Sequence, residues 1–340
     1  MARRKARIPQ GKKIQPAVQT LTFELSGTGT SYIDLSQCAS IVNRRFYRQG
    51  LNWAVAGFTL QAYEGVEAYV NISKIPNTWV QSNAWEKGFR VWRQMIKNAT
   101  DESGAQSVEG RYLDFKIFMD WDHYNGNSDF SANLIPEDAE GNTYATGAWS
   151  PSNIVVPAAD GTTTDYHLMM LGANDPSGNP VKSLTQGYAD SRGLPTPEDP
   201  AVPIDADSNW YLDIFDEGTS QDSDVIDDIS GAPTAVPPYP VEGGLNQGGV
   251  GYFDTQYPGG ENNPNGFGGR EFHYPMAVRS NAVGSNASAP GSNFPCGLIA
   301  VERGVTLVNP ESGLNAVAKL LVHLVPGDHK GYLCSKMQEM

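Results

Sequence analysis

Hydrophobic and polar residues alternate with a period of two through several separate stretches of this chain, the mark of strands that bury one face. In Val18–Leu25, Leu21, Phe23 and Leu25 share one face while Thr20, Thr22 and Glu24 share the other. Ser26–Gly29 supplies turn residues, and Ser31–Leu35 is a second short extended piece. Leu51–Tyr63 and Val66–Ile75 are rich in β-formers and separated only by Glu64-Gly65, which predicts a hairpin. Arg111–Trp121 has the clearest alternation, with Leu113, Phe115, Ile117, Met119 and Trp121 set against Asp114, Lys116 and Asp120, and predicts a strand with one buried face. Thr164–Leu171, Arg270–Arg279, Phe294–Arg303 and Asn315–Pro326 complete the set. The last is apolar on both faces, which predicts a central strand.

One stretch changes period. From Asn83, the residues Trp85, Phe89, Trp92, Met95 and Ile96 recur at helical spacing, and Asn83 with Glu86 has the form of a capping box that opens the helix there. Lys87, Arg90, Arg93 and Lys97 fall largely on other faces, so the aromatic stripe predicts core packing rather than a ligand box. Leu184–Ser191 predicts one or two helical turns. Leaving out the short Ser31–Leu35 piece, there are eight strand candidates and no blade-length repeat. They predict an all-β fold: a single eight-stranded jelly roll of two packed antiparallel sheets, with a short helix and long loop insertions.

Composition agrees with this. A chain of 340 residues with 39% hydrophobic content builds a substantial core, and 36 glycines with 23 prolines suit many turns and long loops. Cys38, Cys296 and Cys334 are odd in number and widely spaced, which predicts core thiols in a reducing compartment rather than a disulfide framework or zinc site. No apolar run reaches the length of a membrane span, and none follows the N-terminal charges as in a secretory leader, so neither a membrane nor a secreted protein is expected.

Charge alters the picture more. Ala2–Lys13 holds Arg3, Arg4, Lys5, Arg7, Lys12 and Lys13 with no acid among them. Taking those six positive charges from a whole-chain total of -14 leaves -20 on the rest. Residues 1–16 therefore read as a flexible basic arm, and 17–340 as the jelly-roll body. The arm's natural partner is phosphate. Arg44, Arg45 and Arg48 form a second basic group, with Phe46 and Tyr47 between them as candidate stacking faces. Between Gly193 and Gly269 there are fourteen acids and no lysine or arginine, so this long acidic loop insertion is a candidate for outward-facing recognition.

Catalytic signatures are missing. No GxxxxGK[ST] loop, GxSxG elbow or HExxH pair occurs, and the five histidines have no metal-ligand spacing. His323, inside the terminal strand, reads as a structural histidine. Asp205, Asp207, Asn209, Asp213 and Asp216 have oxygen-rich spacing, but Trp210 stands where a calcium loop needs glycine, and the closing glutamate is missing. No catalytic residue, cofactor or metal is implied.

The order of features resembles the single jelly-roll capsid proteins of small circular single-stranded DNA viruses that encode a rolling-circle replication protein. The likeness rests on MARRKARIPQGKKIQPAVQTLTFEL at the start, NRRFYRQGLNWAVAGF from Asn43, SKIPNTWVQSNAWEKGFRVWRQM from Ser73, NFPCGL from Asn293 and LVPGDHKGYLC from Leu324. The acidic middle adds little to it. The resemblance implies a subunit of a T=1 icosahedral shell of about 60 copies. It also implies that the basic arm touches the genome inside and serves as a nuclear-import signal, which places the protein in the virion and, during assembly, in the host nucleus. Its expected partners are other copies of the chain, a single-stranded DNA genome, the host import machinery and a host receptor, with no membrane. Sixty arms carry about 360 positive charges, enough for roughly as many phosphates, so a gene-sized DNA needs further cations from the folded domain. Two rival readings are a jelly-roll carbohydrate-binding protein and a β-sandwich glycosidase with paired carboxylates.

Overall fold

The computed structural model describes residues 16–104, 114–125, 127–157, 162–174, 178–193, 269–279, 285–309 and 315–340. The first elements are β1 (Thr20–Ser26), β2 (Thr28–Asp34), α1 (Leu35–Asn43), β3 (Leu51–Ala62), β4 (Val66–Lys74), α2 (Trp79–Glu102) and α3 (Trp121–Asn125). Next come β5 (Asn153–Pro157), β6 (Thr163–Met169), β7 (Val181–Ser183) and α4 (Leu184–Gly193). The chain closes with β8 (Glu271–Arg279), β9 (Ser285–Phe294), β10 (Leu298–Leu307), β11 (Val317–Leu324), β12 (Pro326–Gly327), β13 (Gly331–Tyr332) and β14 (Cys334–Lys336).

Four antiparallel pairings are nested inside one another: β1 with β11, β2 with β10, β3 with β9 and β4 with β8. Cross-pairing of β11 with β3 and of β10 with β4 wraps this nest into two sheets. In one, β11 lies between β1 and β3, with β9 on the far side of β3. In the other the order is β2-β10-β4-β8. Eight strands wound in this way are an all-β jelly roll. Between the sheets lies an apolar core that includes Phe23 and Leu25 of β1, Phe58 and Leu60 of β3, Val70 and Ile72 of β4, Ile299 and Val301 of β10 and Leu320 and Val322 of β11.

The eight strands of the sandwich are not quite the eight that alternation selects. β2 takes in Ser31–Asp34 of the short extended piece and extends it backward, while Leu35 opens α1. β9, SNASAPGSNF, is a strand whose one large apolar residue is Phe294 at its end. It is identified by its neighbour rather than its own pattern, because a Cβ on Gly291 would collide with the Val55 and Ala56 carbonyl groups of β3. Phe294–Arg303 straddles two elements, since Pro295–Gly297 forms a 3-10 turn between β9 and β10. The hairpin expected at Glu64-Gly65 is corrected as well. Val66 N–H does donate to the Tyr63 carbonyl at 3.1 Å, but β3 and β4 belong to opposite sheets, so the turn carries the chain across the sandwich.

The described part of the long segment between β4 and β8 forms a third layer on the outer face of β2 and β10. Alternate residues of β10 make the join: Ile299 and Val301 face the sandwich, while Leu298 and Ala300 pack into a second core with Val80, Trp85 and Trp92 of α2. α2 begins at Trp79, with Thr78 at its N-cap, and not at Asn83. The capping box does not form, because Asn83 Nδ2 donates to Tyr188 Oη at 3.3 Å while Glu86 pairs with Arg90 and Gln338. α4 covers the predicted turns at Leu184–Ser191. β6 corresponds to Thr164–Leu171 but belongs to a small sheet with β5 and β7, outside the sandwich.

Arg111–Trp121 is the largest departure. Residues 111–113 lie outside the described residues, 114–120 form an extended segment beside β6 with one isolated bridge, Phe118 to Met169, and Trp121 starts α3. Every residue from Phe115 to Asp120 is buried, Lys116 and Asp120 included, so the one-sided burial expected from the alternation is overturned. Lys116 reaches Asp114 at 2.6 Å and lies over the Trp149 ring at 4.3 Å. Asp120 accepts from Tyr32 Oη at 2.8 Å and the His123 N–H at 2.9 Å, with Arg270 Nε at 3.1 Å. Burial asks for such partners, since an unpaired buried charge is costly.

α1 joins this polar seam to the sandwich. Asp34 caps it by accepting from the Ser36 and Gln37 N–H groups, and its other oxygen accepts from Gln49 Nε2 at 3.0 Å and Trp149 Nε1 at 2.9 Å. Burial pushes the Asp34 carboxyl up to about 6 against those donors. Met119 N–H donates to His123 Nδ1 at 3.0 Å, so His123 is neutral, with Nε2 donating to Asn133 Oδ1 at 2.9 Å. Burial lowers His123 to about 4.

Candidate nucleic-acid interface

The six arm residues Arg3, Arg4, Lys5, Arg7, Lys12 and Lys13 lie outside the described residues, as do the acidic loop insertion and the oxygen-rich spacing from Asp205 to Asp216. The root of the arm is described. Val18 N–H donates to Asn43 Oδ1 at 3.1 Å, Gln19 Nε2 to the Gly331 carbonyl at 3.2 Å, and Tyr332 Oη to the Val18 carbonyl at 2.6 Å. Asn43 Nδ2 in turn donates to Tyr332 Oη at 2.7 Å. The chain thus leaves the jelly roll between the end of α1 and β13.

The second basic group lies beside that exit. α1 ends at Arg44, whose left-handed backbone, φ 53°, turns the chain so that its N–H meets the Ile41 carbonyl at 3.4 Å. In the loop that follows, Tyr47 and Gln49 point inward while Arg44, Arg45 and Arg48 remain exposed. Arg45 Nη1 donates to the Pro16 carbonyl at 3.2 Å, so a predicted phosphate-binding cation holds the arm's own root.

The stacking faces are divided. Tyr47 is fully buried, packed against Trp53 at 5.8 Å and Tyr332 at 5.5 Å between ring centroids, and offers no face to a base; this corrects its expected role. Phe46 is half-buried and open to a cavity described below.

The structure adds a residue that sequence reading left out. Lys330, in the turn between β12 and β13, donates to the Phe46 carbonyl at 2.5 Å and lies 5.4 Å from the centre of the Tyr47 ring. Its ammonium pKa is lowered, first by burial and then by Arg48 and Arg45. Burial, Lys330 and Arg48 likewise hold His329 below its ordinary value. Repulsion of this kind identifies a crowded cationic patch, with Asp328 the adjoining acid in sequence. The sequence signal was DHKG, a turn carrying a cation, but nothing local places it against residues more than 280 positions away.

Next to the patch is a cavity of about 450 Å³ between the loop after α1, the first turns of α2 and the C-terminal segment. Phe46, Arg48, Gly50, Leu51, Trp85, Phe89, Phe115, His329, Lys330, Cys334, Ser335, Lys336, Gln338 and Glu339 line it. Trp85 and Phe89 stack with centroids 5.1 Å apart and planes 11° from parallel, and Phe115 meets Phe89 edge-on at 5.6 Å. The aromatic stripe does pack in a core, as its spacing predicts, and its first two rings also form a wall of this cavity. Trp85 is 5% exposed, and its indole N–H, itself without accessible surface, has no acceptor among the described residues.

Elsewhere, His323 is bonded at both ring nitrogens, to Thr20 Oγ1 at 3.2 Å and Thr59 Oγ1 at 3.0 Å, across the two strands that flank β11. Cys38 and Cys296 are buried, and Cys334 is half-buried on the cavity. The buried carboxylates Asp34, Asp120 and Glu137 each hold structural partners, Glu137 receiving Lys319 Nζ at 2.7 Å. Among the described residues no helix is long and apolar enough to cross a membrane. Compared with known proteins, the chain matches no family model, no curated protein and no solved structure.

Proposed function

We propose that this chain is a shell-forming subunit that packages single-stranded DNA through its basic arm. The observation that carries this reading is the shared location of the arm's root and a second cationic patch, with Arg45 bonded to Pro16 and Arg48 and Lys330 beside it. Positive charge collected there, on a body of opposite net charge, gives a phosphate attraction of fixed direction that needs no base readout. A jelly roll suits the role of tile, although the fold by itself hosts many functions. The work is binding and assembly rather than catalysis.

The test is to purify the full chain, image it by negative stain and measure DNA uptake with and without residues 2–13. Uniform closed particles, with uptake that falls steeply as salt rises and is mostly lost in the truncated chain, are the expected result. Only monomers at every salt concentration, or undiminished uptake by the truncated chain, overturns the reading.

A further inference from the structure

We infer that the cavity between α2 and the C-terminal segment is a nucleotide pocket, which holds one base of single-stranded DNA against its aromatic wall and the attached phosphate against Arg48 and Lys330. The inference rests on the packaging reading for its ligand and shares Arg48 and Lys330 with it, while the aromatic lining is its own. Two observations converge on it. The volume, about 450 Å³, lies in the range of small-ligand sites and admits a single nucleotide. Phe46 and Phe89 are half-buried rings of the lining and supply aromatic surface for a base.

The charges in the lining assign the rest of the nucleotide. Arg48 makes no ion pair among the described residues, and Lys330, already crowded by it, gains from an anion between them. Glu339 is the carboxylate of the lining and accepts from an exocyclic amine. A base that carries an exocyclic amine uses this acceptor, which makes cytosine a fitting probe. The pocket thereby provides base contact that the arm, a sequence-blind cation, lacks.

The experiment is isothermal titration calorimetry of the full chain with dCMP, and with inorganic phosphate at the same concentrations. Saturable binding of one dCMP per chain is expected, with no comparable heat from phosphate. Arg48→Ala and Phe46→Ala each weaken dCMP about tenfold, the usual worth of one charge-assisted contact and of one stacked base. Absence of saturable dCMP binding, equal binding of phosphate, or wild-type affinity in either folded variant overturns the inference. If circular dichroism shows Phe46→Ala unfolded, the exposed Arg48→Ala decides alone. DNA uptake into particles is scored separately: uptake without dCMP binding rejects the pocket alone, and dCMP binding by a chain that never assembles rejects the shell alone.

Discussion

β11 is apolar on both faces in sequence while the segment 114–120 alternates, and the fold treats them the other way round. Along β11, buried Ala318, Leu320, Val322 and Leu324 alternate with half-buried Val317, Lys319, Leu321 and His323. Along 115–120 nothing alternates: Phe115, Ile117 and Met119 enter the second core, Phe118 enters a third cluster with Phe130 and Trp149, and Lys116 and Asp120 are buried with partners. Period two reports an extended backbone. Whether the second face is also covered depends on a layer supplied by distant sequence. The two regions consequently cohere by different means, the sandwich by apolar burial and the seam under the third layer by a buried polar network.

Four measurements break or sharpen this contrast. Phe23→Ala empties a fully buried site between the sheets and should cost about 4 kcal/mol, read by urea unfolding at both pH 5 and pH 8 with the same result. A strong pH dependence of that cost would show that the sandwich is not purely apolar. Asp120→Ala leaves Arg270 and the Tyr32 hydroxyl without their buried acceptor and should cost about 3 kcal/mol, whereas Asp122→Ala, on a mostly exposed side chain, should cost under about 1 kcal/mol. Equal costs would dissolve the seam as a distinct source of stability.

Third comes pH. Asp34, raised from 3.8 to about 6, adds stability that is complete below pH 4 and is lost as pH rises to about 6. His123, lowered from 6.5 to about 4, adds stability that is complete above pH 6.5 and is lost as pH falls to about 4. The two oppose each other over the same window. Asp34→Asn removes one of them, so its stability relative to wild type should climb by about 2–3 kcal/mol between pH 4 and pH 6.5. A flat difference would mean that Asp34 titrates normally. The smallest effect is at the junction of the two regions: Arg44→Gly relieves a left-handed residue at the end of α1 and should stabilise the fold by about 0.5–1 kcal/mol in thermal unfolding.

The strands legible in the sequence were those whose own faces differ, such as β1 and β3, because solvent on one side writes itself into alternation. β9 was illegible because its place is set by a close backbone approach to β3, which selects glycine and small polar residues rather than a pattern. α1 was missed although its signal was present: Asp34 as cap, then Leu35, Cys38, Ala39 and Val42 at helical spacing. Of the candidate site, Arg45 and Arg48 were found from local charge, and the structure does bring them to the arm's root. Lys330 was beyond reach, since its place depends on a turn distant in sequence from the loop it meets.

The nesting that places β11 between β1 and β3 has a consequence for biosynthesis. β11 follows β3 by about 250 residues in sequence, so the two strands it joins have no shared partner until that much more of the chain has been made. Closure of the sandwich, with so many distant pairings, is slow, on the scale of milliseconds to seconds. Until β11 arrives, the facing edges of β1 and β3 are unpaired, and it is the order in which the strands are made that leaves them so.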